Sequence, residues 1–347
     1  MNEIVKRKPY IKYIIAGVVC VLFLIIIILL IYILTRKKKG IPFYLTYGHG
    51  GIWYSNDGMK WTNCFKENVT DIAYNGVDTF LATGPEGKVF YSNDGKNWTL
   101  YASNIFGIVN TGGTKSIIAY NGVDTWVAVG SSICYSKDGK KWTQVPNIEG
   151  QYDQLAYNGV NTWISVGRVN NRSVVAHSKD GQLWNTVNTN IISGYDVAYN
   201  GVDTWVVVGM GDDDLSSIIY SNDNGKNWNK GKINISTSGV IEYPNIVMSV
   251  AYNGVDTWVA VGGNNKIPTT LYSKDDCLTW NKGTDIFSGG SASCVAYNGV
   301  DTWVAFGIVN NRSVVAYSKD GIIWTMGTGI DVQMSYENLG LKIFTLK

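Results

Sequence analysis

The sequence predicts an all-β fold: a seven-bladed β-propeller of four-stranded antiparallel blades, preceded by one N-terminal transmembrane helix. Three observations carry this reading. A motif of the form Tyr-Ser-x-Asp-Gly-x-x-Trp occurs seven times, a second motif, Ala-Tyr-Asn-Gly-Val-Asp-Thr-Trp, lies between its copies, and one uncharged apolar run stands ahead of both. The 347-residue chain is 45% hydrophobic and only 16% charged, which excludes an intrinsically disordered protein. Two histidines and no Cys-x-x-Cys pair exclude a His-rich metal site or a zinc ribbon.

The N-terminal element comes first. Tyr13 to Leu34 are 22 residues without a charged side chain. At about 1.5 Å per residue they span about 33 Å, enough for a hydrocarbon core of about 30 Å. A cleaved signal peptide has a shorter apolar stretch ending in small residues; here Thr35-Arg36-Lys37-Lys38 follows. The expected organisation is therefore a basic tail (1–12), a transmembrane helix (13–35) with the lipid bilayer as its partner, a linker (36–42) and a propeller (43–347). Four basic residues stand on each side of the run, so charge leaves the orientation open. Residues 1–40 hold eight of the 29 basic residues and one of the 27 acids. The remainder is mildly acidic, with 21 basic and 26 acidic residues, and has no basic stripe for phosphates, so nucleic acid is not an expected partner.

The repeats come next. The first motif ends at Trp61, Trp98, Trp142, Trp184, Trp228, Trp280 and Trp324, and its carboxylates are Asp57, Asp94, Asp138, Asp180, Asp223, Asp275 and Asp320. The second motif begins at Ala73, Ala119, Ala156, Ala198, Ala251 and Ala296. Each unit reads as four short strands. In the third, Ser116–Tyr120, Thr125–Val129, Ile133–Ser136 and Lys141–Gln144 are strands, separated by the Asn121-Gly122-Val123-Asp124 turn, a short loop and a tight Asp138-Gly139 turn. The first unit lacks its opening strand and begins at Phe43–Tyr47. The tail Val332–Gly340 is the expected replacement, closing the ring, although Leu341–Leu346 also has strand character. Cys64, Cys134, Cys277 and Cys294 are far apart and are expected to be buried thiols. The five sequons, at Asn68, Asn97, Asn171, Asn234 and Asn311, are what this composition produces by chance.

The first motif resembles the Asp-box, or BNR repeat, of sialidase-like, sortilin-like and photosystem II assembly factor propellers. Seven copies, from residue 54 to 325, carry the resemblance, which implies a propeller whose Asp accepts backbone N–H bonds in the third turn of each blade. Only Ser221–Trp228 has the full spacing with Gly; five copies lack one residue, and the sixth blade puts Cys277 in place of Gly. Sialidases of this family use three arginines, a Tyr–Glu pair and an Asp. After residue 40 this chain has only Arg168, Arg172 and Arg312, and two of these stand in copied Val-Asn-Asn-Arg-Ser-Val-Val-Ala segments. The expectation is a non-catalytic member without cofactor or metal. The boxes and the Asn-Gly-Val-Asp turns read as folding devices, because residues repeated in every blade cannot define one site.

Symmetry breaking defines a site instead. The variable connections are Gly167–Arg172, Gly209–Ser216, Gly262–Thr269, Gly307–Arg312, Tyr101–Thr114, Lys230–Asn245 and Lys282–Ser291, all on one face of the disc. Arg168, Arg172, Asp213, Tyr243 and Arg312 are the expected ligand-binding residues there. The expected function is binding of a protein or glycan beside a cell-surface or virion membrane; the latter follows from a resemblance to repeat proteins of large DNA viruses with AT-rich genomes. An assembly or scaffold factor and a divergent glycosidase are the alternatives.

Overall fold

The computed structural model describes residues 41–48, 50–55, 62–106, 115–146, 148–170, 172–189, 191–211, 218–234, 246–264, 267–284, 287, 290–310, 312–327 and 340–346. The basic tail at 1–12 and the transmembrane segment at 13–35 lie outside them, as does the linker up to residue 40. Among the described residues no helix is long and apolar enough to cross a membrane.

Seven sheets form the blades of a propeller. Blade two runs Asp71–Tyr74, Phe80–Gly84, Lys88–Ser92, Thr99–Ala102. Blade three runs Ile117–Tyr120, Trp126–Val129, Ile133–Ser136, Thr143–Gln144. Blade four runs Gln151–Tyr157, Trp163–Val169, Arg172–Ser178, Trp184–Asn188. Blade five runs Ile191–Tyr199, Trp205–Gly211, Ile218–Ser221, Asn229–Lys230. Blade six runs Val247–Tyr252, Trp258–Asn264, Ile267–Ser273, Thr279–Lys282. Blade seven runs Gly290–Tyr297, Trp303–Val309, Arg312–Ser318, Trp324–Met326. Within each blade, neighbouring strands pair antiparallel, and successive first strands pack against one another around the axis.

Blade one joins the two ends of the chain. Ile41–Gly48, Gly51–Ser55 and Thr62–Phe65 supply its second, third and fourth strands. Its first strand is Gly340–Leu346, antiparallel to Ile41–Gly48 from Ile41↔Leu346 to Tyr47↔Gly340. The closing strand therefore uses Leu341–Leu346 rather than the expected Val332–Gly340, of which all but Gly340 lies outside the described residues. The alternation of apolar, β-branched and aromatic residues in Leu341–Leu346 fits a pleated strand with no breaker.

The core lies between blades. Six apolar clusters each span two neighbouring blades, from one and two round to six and seven. The second strands of blades two to six are covered on both sides, which is why Trp126–Val129 reads as a continuous apolar run and is buried throughout. Trp163, Trp205, Trp258 and Trp303, each ending a copy of the second motif, are at most 1% exposed. Each packs at a tilt against the Tyr of its own motif, as Tyr199 on Trp205 with ring centroids 4.7 Å apart and planes at 40°.

The turns are built locally. In blade two, Asn75 Oδ1 accepts from the N–H groups of Val77, Asp78 and Thr79 at 2.9–3.0 Å, and Thr79 donates its hydroxyl to Asp78 at 2.9 Å. The arrangement recurs in blades three to seven. Gly76 has φ +80 with open space where a Cβ would be, so its requirement is conformational rather than steric. In the third turn, Ser92 Oγ accepts from Gly95 N at 2.8 Å, Asp94 Oδ1 accepts from Lys96 N and Asn97 N at 2.8 Å, and Trp98 Nε1 donates to Gly95 O at 3.0 Å. The same Ser and Asp bonds hold blades three to seven. The first copy, with Asp57 and Trp61, lies outside the described residues. In blade six Cys277 takes the glycine place at φ +69, its N–H donating to Ser273 Oγ at 3.1 Å and its side chain fully buried.

These turns set the acid limb of stability. Partial burial pushes the Asp94 carboxyl up, but the N–H bonds from Asn97 and Lys96 outweigh it and hold it at about 2. Asp138, Asp180, Asp223, Asp275 and Asp320 are lowered in the same way. A carboxylate lowered on folding stabilises above its unfolded value and loses that contribution as pH falls through its folded one. Urea midpoints are therefore expected to hold above about pH 4 and to drop between about pH 4 and pH 2. Asp180→Ala is expected to cost about 1 kcal/mol at pH 7 and to flatten part of that drop; an unchanged acid limb in this variant would contradict the assignment.

Among the described residues the fold corrects two further expectations. Gly167–Arg172, Gly262–Thr269 and Gly307–Arg312 are not loops: strands continue to Val169, Asn264 and Val309 and restart at Arg172, Ile267 and Arg312. Asn170 and Asn310 accept the left-handed conformation, φ +51 and +50, which Asn tolerates well. Within Lys230–Asn245, also expected to be loop, Lys232–Asn234 adds a fifth strand to blade six, parallel to its fourth. Ile233 packs there beside Trp280 and covers the sheet edge.

Candidate functional site

Strand connectivity sorts the turns by face. The first-to-second and third-to-fourth turns lie on one face, the turn face. The second-to-third hairpins and the interblade connections lie on the other, the loop face. Arg168, Arg172 and Arg312 all map to the loop face, at hairpins of blades four and seven. They do not converge. Blades four and seven are not neighbours, and the register pairs Val169 with Arg172 but Arg168 with Ser173. Side chains alternate along a strand, so Arg168 and Arg172 leave opposite faces of blade four. Arg168 lies 4.0 Å from Asp153, whose other oxygen accepts from Gln151 at 3.0 Å. Asp213 and Tyr243 lie outside the described residues.

Arg172 stands at the mouth of a groove between blades four and five. One crevice of about 320 Å³ is lined by Arg172, Ser173, Asn188, Thr189, Ile191 and Ile192. A second, of about 220 Å³, is lined by Val187, Asn188, Thr189, Ile219, Lys226, Asn227, Trp228 and Lys230. Asn188 and Thr189 line both, so the two adjoin. The groove follows from unequal strands: the outer strand of blade four has five residues and that of blade five only two. Its charged groups are all cationic: Arg172 on the loop face at one end, and Lys226, in a third turn on the turn face, with Lys230 at the other. Of these residues the sequence reading singled out only Arg172 for binding, and Trp228 only as a folding residue of its repeat, because the groove is made by a strand that falls short, and no motif marks it.

A second cluster surrounds the axis. Tyr47 donates its hydroxyl to Asp71 at 2.7 Å, and the other Asp71 oxygen accepts from Ile118 N at 3.0 Å. Asp196 accepts from Ser249 Oγ at 2.8 Å, Val250 N at 3.0 Å and Val197 N at 2.9 Å. Burial pushes the Asp196 carboxyl above its usual range against those bonds, and burial with the Asp71 charge pushes Tyr47 up. Each carboxylate thus joins the first strand of its own blade to that of the next. The sequence carries a signal for them: the position two before each Ala-Tyr reads Asp71, Ile117, Gln154, Asp196, Ser249 and Cys294, an unrepeated place beside the repeated aliphatic-Ala-Tyr. Among the described residues no group of three or more His, Cys, Asp and Glu is placed to hold a metal ion. Cys134 and Cys277 are buried free thiols; Cys64 and Cys294 are free and half-buried.

The family described as the DUF6242 beta propeller domain matches residues 93–333. Among solved structures, one described as "YCF48 bound to D1 peptide" is similar with TM-score 0.55 and 16% identity, covering 76% of this chain and 84% of that one. "YCF48 from Cyanidioschyzon merolae" is similar with TM-score 0.54 and 13% identity, covering 78% and 90%. A Dos1 propeller has TM-score 0.54 and 8% identity, covering 77% and 73%. At these identities the likeness is one of fold. No curated protein matches the chain.

Proposed function

The chain belongs to the DUF6242 β-propeller family, and from that premise we propose that it is a membrane-anchored, non-enzymatic binding protein. Its groove between blades four and five takes an extended, acidic segment of a partner protein. The observation that carries this reading is the charge of the groove: Arg172 and Lys226 stand among its lining residues, and no Asp or Glu does. The propeller domain as a whole carries more acid than base. A propeller of the same fold is described in complex with a peptide. The uncharged run at 13–34 supplies the anchor. The Ser-x-Asp turns are read as Asp-boxes that serve folding, which leaves the asymmetric groove as the place for recognition.

The test is selection of displayed peptides against the full-length chain in phosphatidylcholine nanodiscs. The selected peptides are expected to be acidic. Arg172→Glu should weaken them on the order of tenfold, about 1.4 kcal/mol, while Lys137→Glu on the turn face should leave them unchanged. Peptides indifferent to Arg172 would remove the groove from the account. Turnover of a glycoside panel in proportion to purified chain would replace binding with hydrolysis.

A further inference from the structure

Val77, Val123, Val160, Val202, Val255 and Val300 are the tips of the first turns of blades two to seven, and all are 72–77% exposed. Their side chains do nothing for the turn, which is held by the Asn side chain through backbone N–H groups. Solvent exposure gives no physical reason for the same aliphatic residue at all six tips. Leu183 and Ile323, in third turns on the same face, are 73% and 64% exposed. The turn face therefore carries a ring of apolar tips set among polar turns.

The ring has one gap, at blade one, and there the two chain ends stand. Ile41 pairs with Leu346 at the end of that blade where the other blades have their valine turn. The 40 residues preceding Ile41 thus leave from the turn face. Between Leu34, the end of the apolar run, and Ile41 stand six residues, 35–40, so seven Cα steps, which reach at most about 25 Å. The way round to the loop face is longer than that: the strand Ile41–Gly48 covers about 23 Å, and the strands Gly51–Ser55 and Thr62–Phe65 outside it add about 5 Å each. A tether of this length cannot carry the loop face down onto a bilayer that holds the run.

We propose that the turn face is the membrane-facing side of the propeller, with its valine tips resting in the headgroup interface of the bilayer entered by residues 13–35. This rests on the anchor in the reading above. The contact is apolar rather than electrostatic, because Asp outnumbers Lys in the surrounding turns. It also leaves the loop face, and the mouth of the groove at Arg172, turned away from the membrane.

Photocross-linking tests it with the full-length chain in phosphatidylcholine vesicles. Retention through a carbonate wash is measured first. p-Benzoylphenylalanine is then placed, in separate chains, at Val202, at Val300 and at Arg172. Lipid adducts are expected at Val202 and Val300, not at Arg172, and adding phosphatidylserine should not raise their yield. Adducts at Arg172, chain-to-chain adducts at the tips, or no adduct from a retained chain would overturn the orientation while leaving the anchor standing. Release by carbonate would overturn the anchor and the orientation with it.

Discussion

Deleting residues 340–347 is expected to destabilise the propeller by about 5 kcal/mol. The strand Gly340–Leu346 supplies seven register pairs to Ile41–Gly48, and a net backbone hydrogen bond is worth roughly 1 kcal/mol. The loss extends beyond those bonds. Without its first strand, blade one presents an unpaired edge toward the axis, where no other backbone can satisfy it. The packing of that strand on Asp71–Tyr74 of blade two is lost as well. Urea unfolding followed by tryptophan fluorescence measures the effect, and the truncated chain should show an earlier midpoint and a broader transition. Deleting Lys347 alone should change nothing measurable. An unchanged midpoint for the longer deletion would mean that the tail is not part of blade one.

Trp205→Ala is expected to cost about 3–5 kcal/mol, the range for emptying a large aromatic site in a core. Trp205 is fully buried between blades four and five, against Ile164, Val166 and Val175 from one side and Ile191, Val197, Val207 and Ile219 from its own. Neighbouring strands are locked into paired sheets, so they cannot collapse into the space. Val202, three residues earlier in the same motif, gives the contrast. It is 77% exposed, and Val202→Ala in detergent-solubilised chain should stay within about 0.5 kcal/mol of the parent. The pair separates what the repeat needs for folding from what it displays. A Trp205→Ala variant as stable as the parent would place the core somewhere other than between the blades.

The repeat made the blades legible because its determinants are local. Asn75 builds its turn with residues two to four positions away, and Asp94 with residues two and three away. Any sequence window that contains the motif contains the cause. What escaped the sequence is non-local. The Tyr47–Asp71 bond spans 24 residues and the Ser249–Asp196 bond 53, and neither partner advertises the other. Lys232–Asn234 became a strand because Ile233 found the edge of a sheet whose outer strand lies more than forty residues downstream. The groove shares this origin: it exists where two outer strands differ in length. Arg172 was visible as an odd residue in a variable segment, but Lys226 was hidden inside a copy of the repeat.

Recognition at the one groove between blades four and five is the centre of the account, and hydrogen exchange tests it most directly. The full-length chain in nanodiscs is compared with and without a selected acidic peptide. Added protection at 172–173 and 187–192, with the turns at 75–79 and 121–125 unaffected, is the result predicted. Protection confined to those turns, or spread evenly over all blades, would contradict the assignment of recognition to the one asymmetric groove.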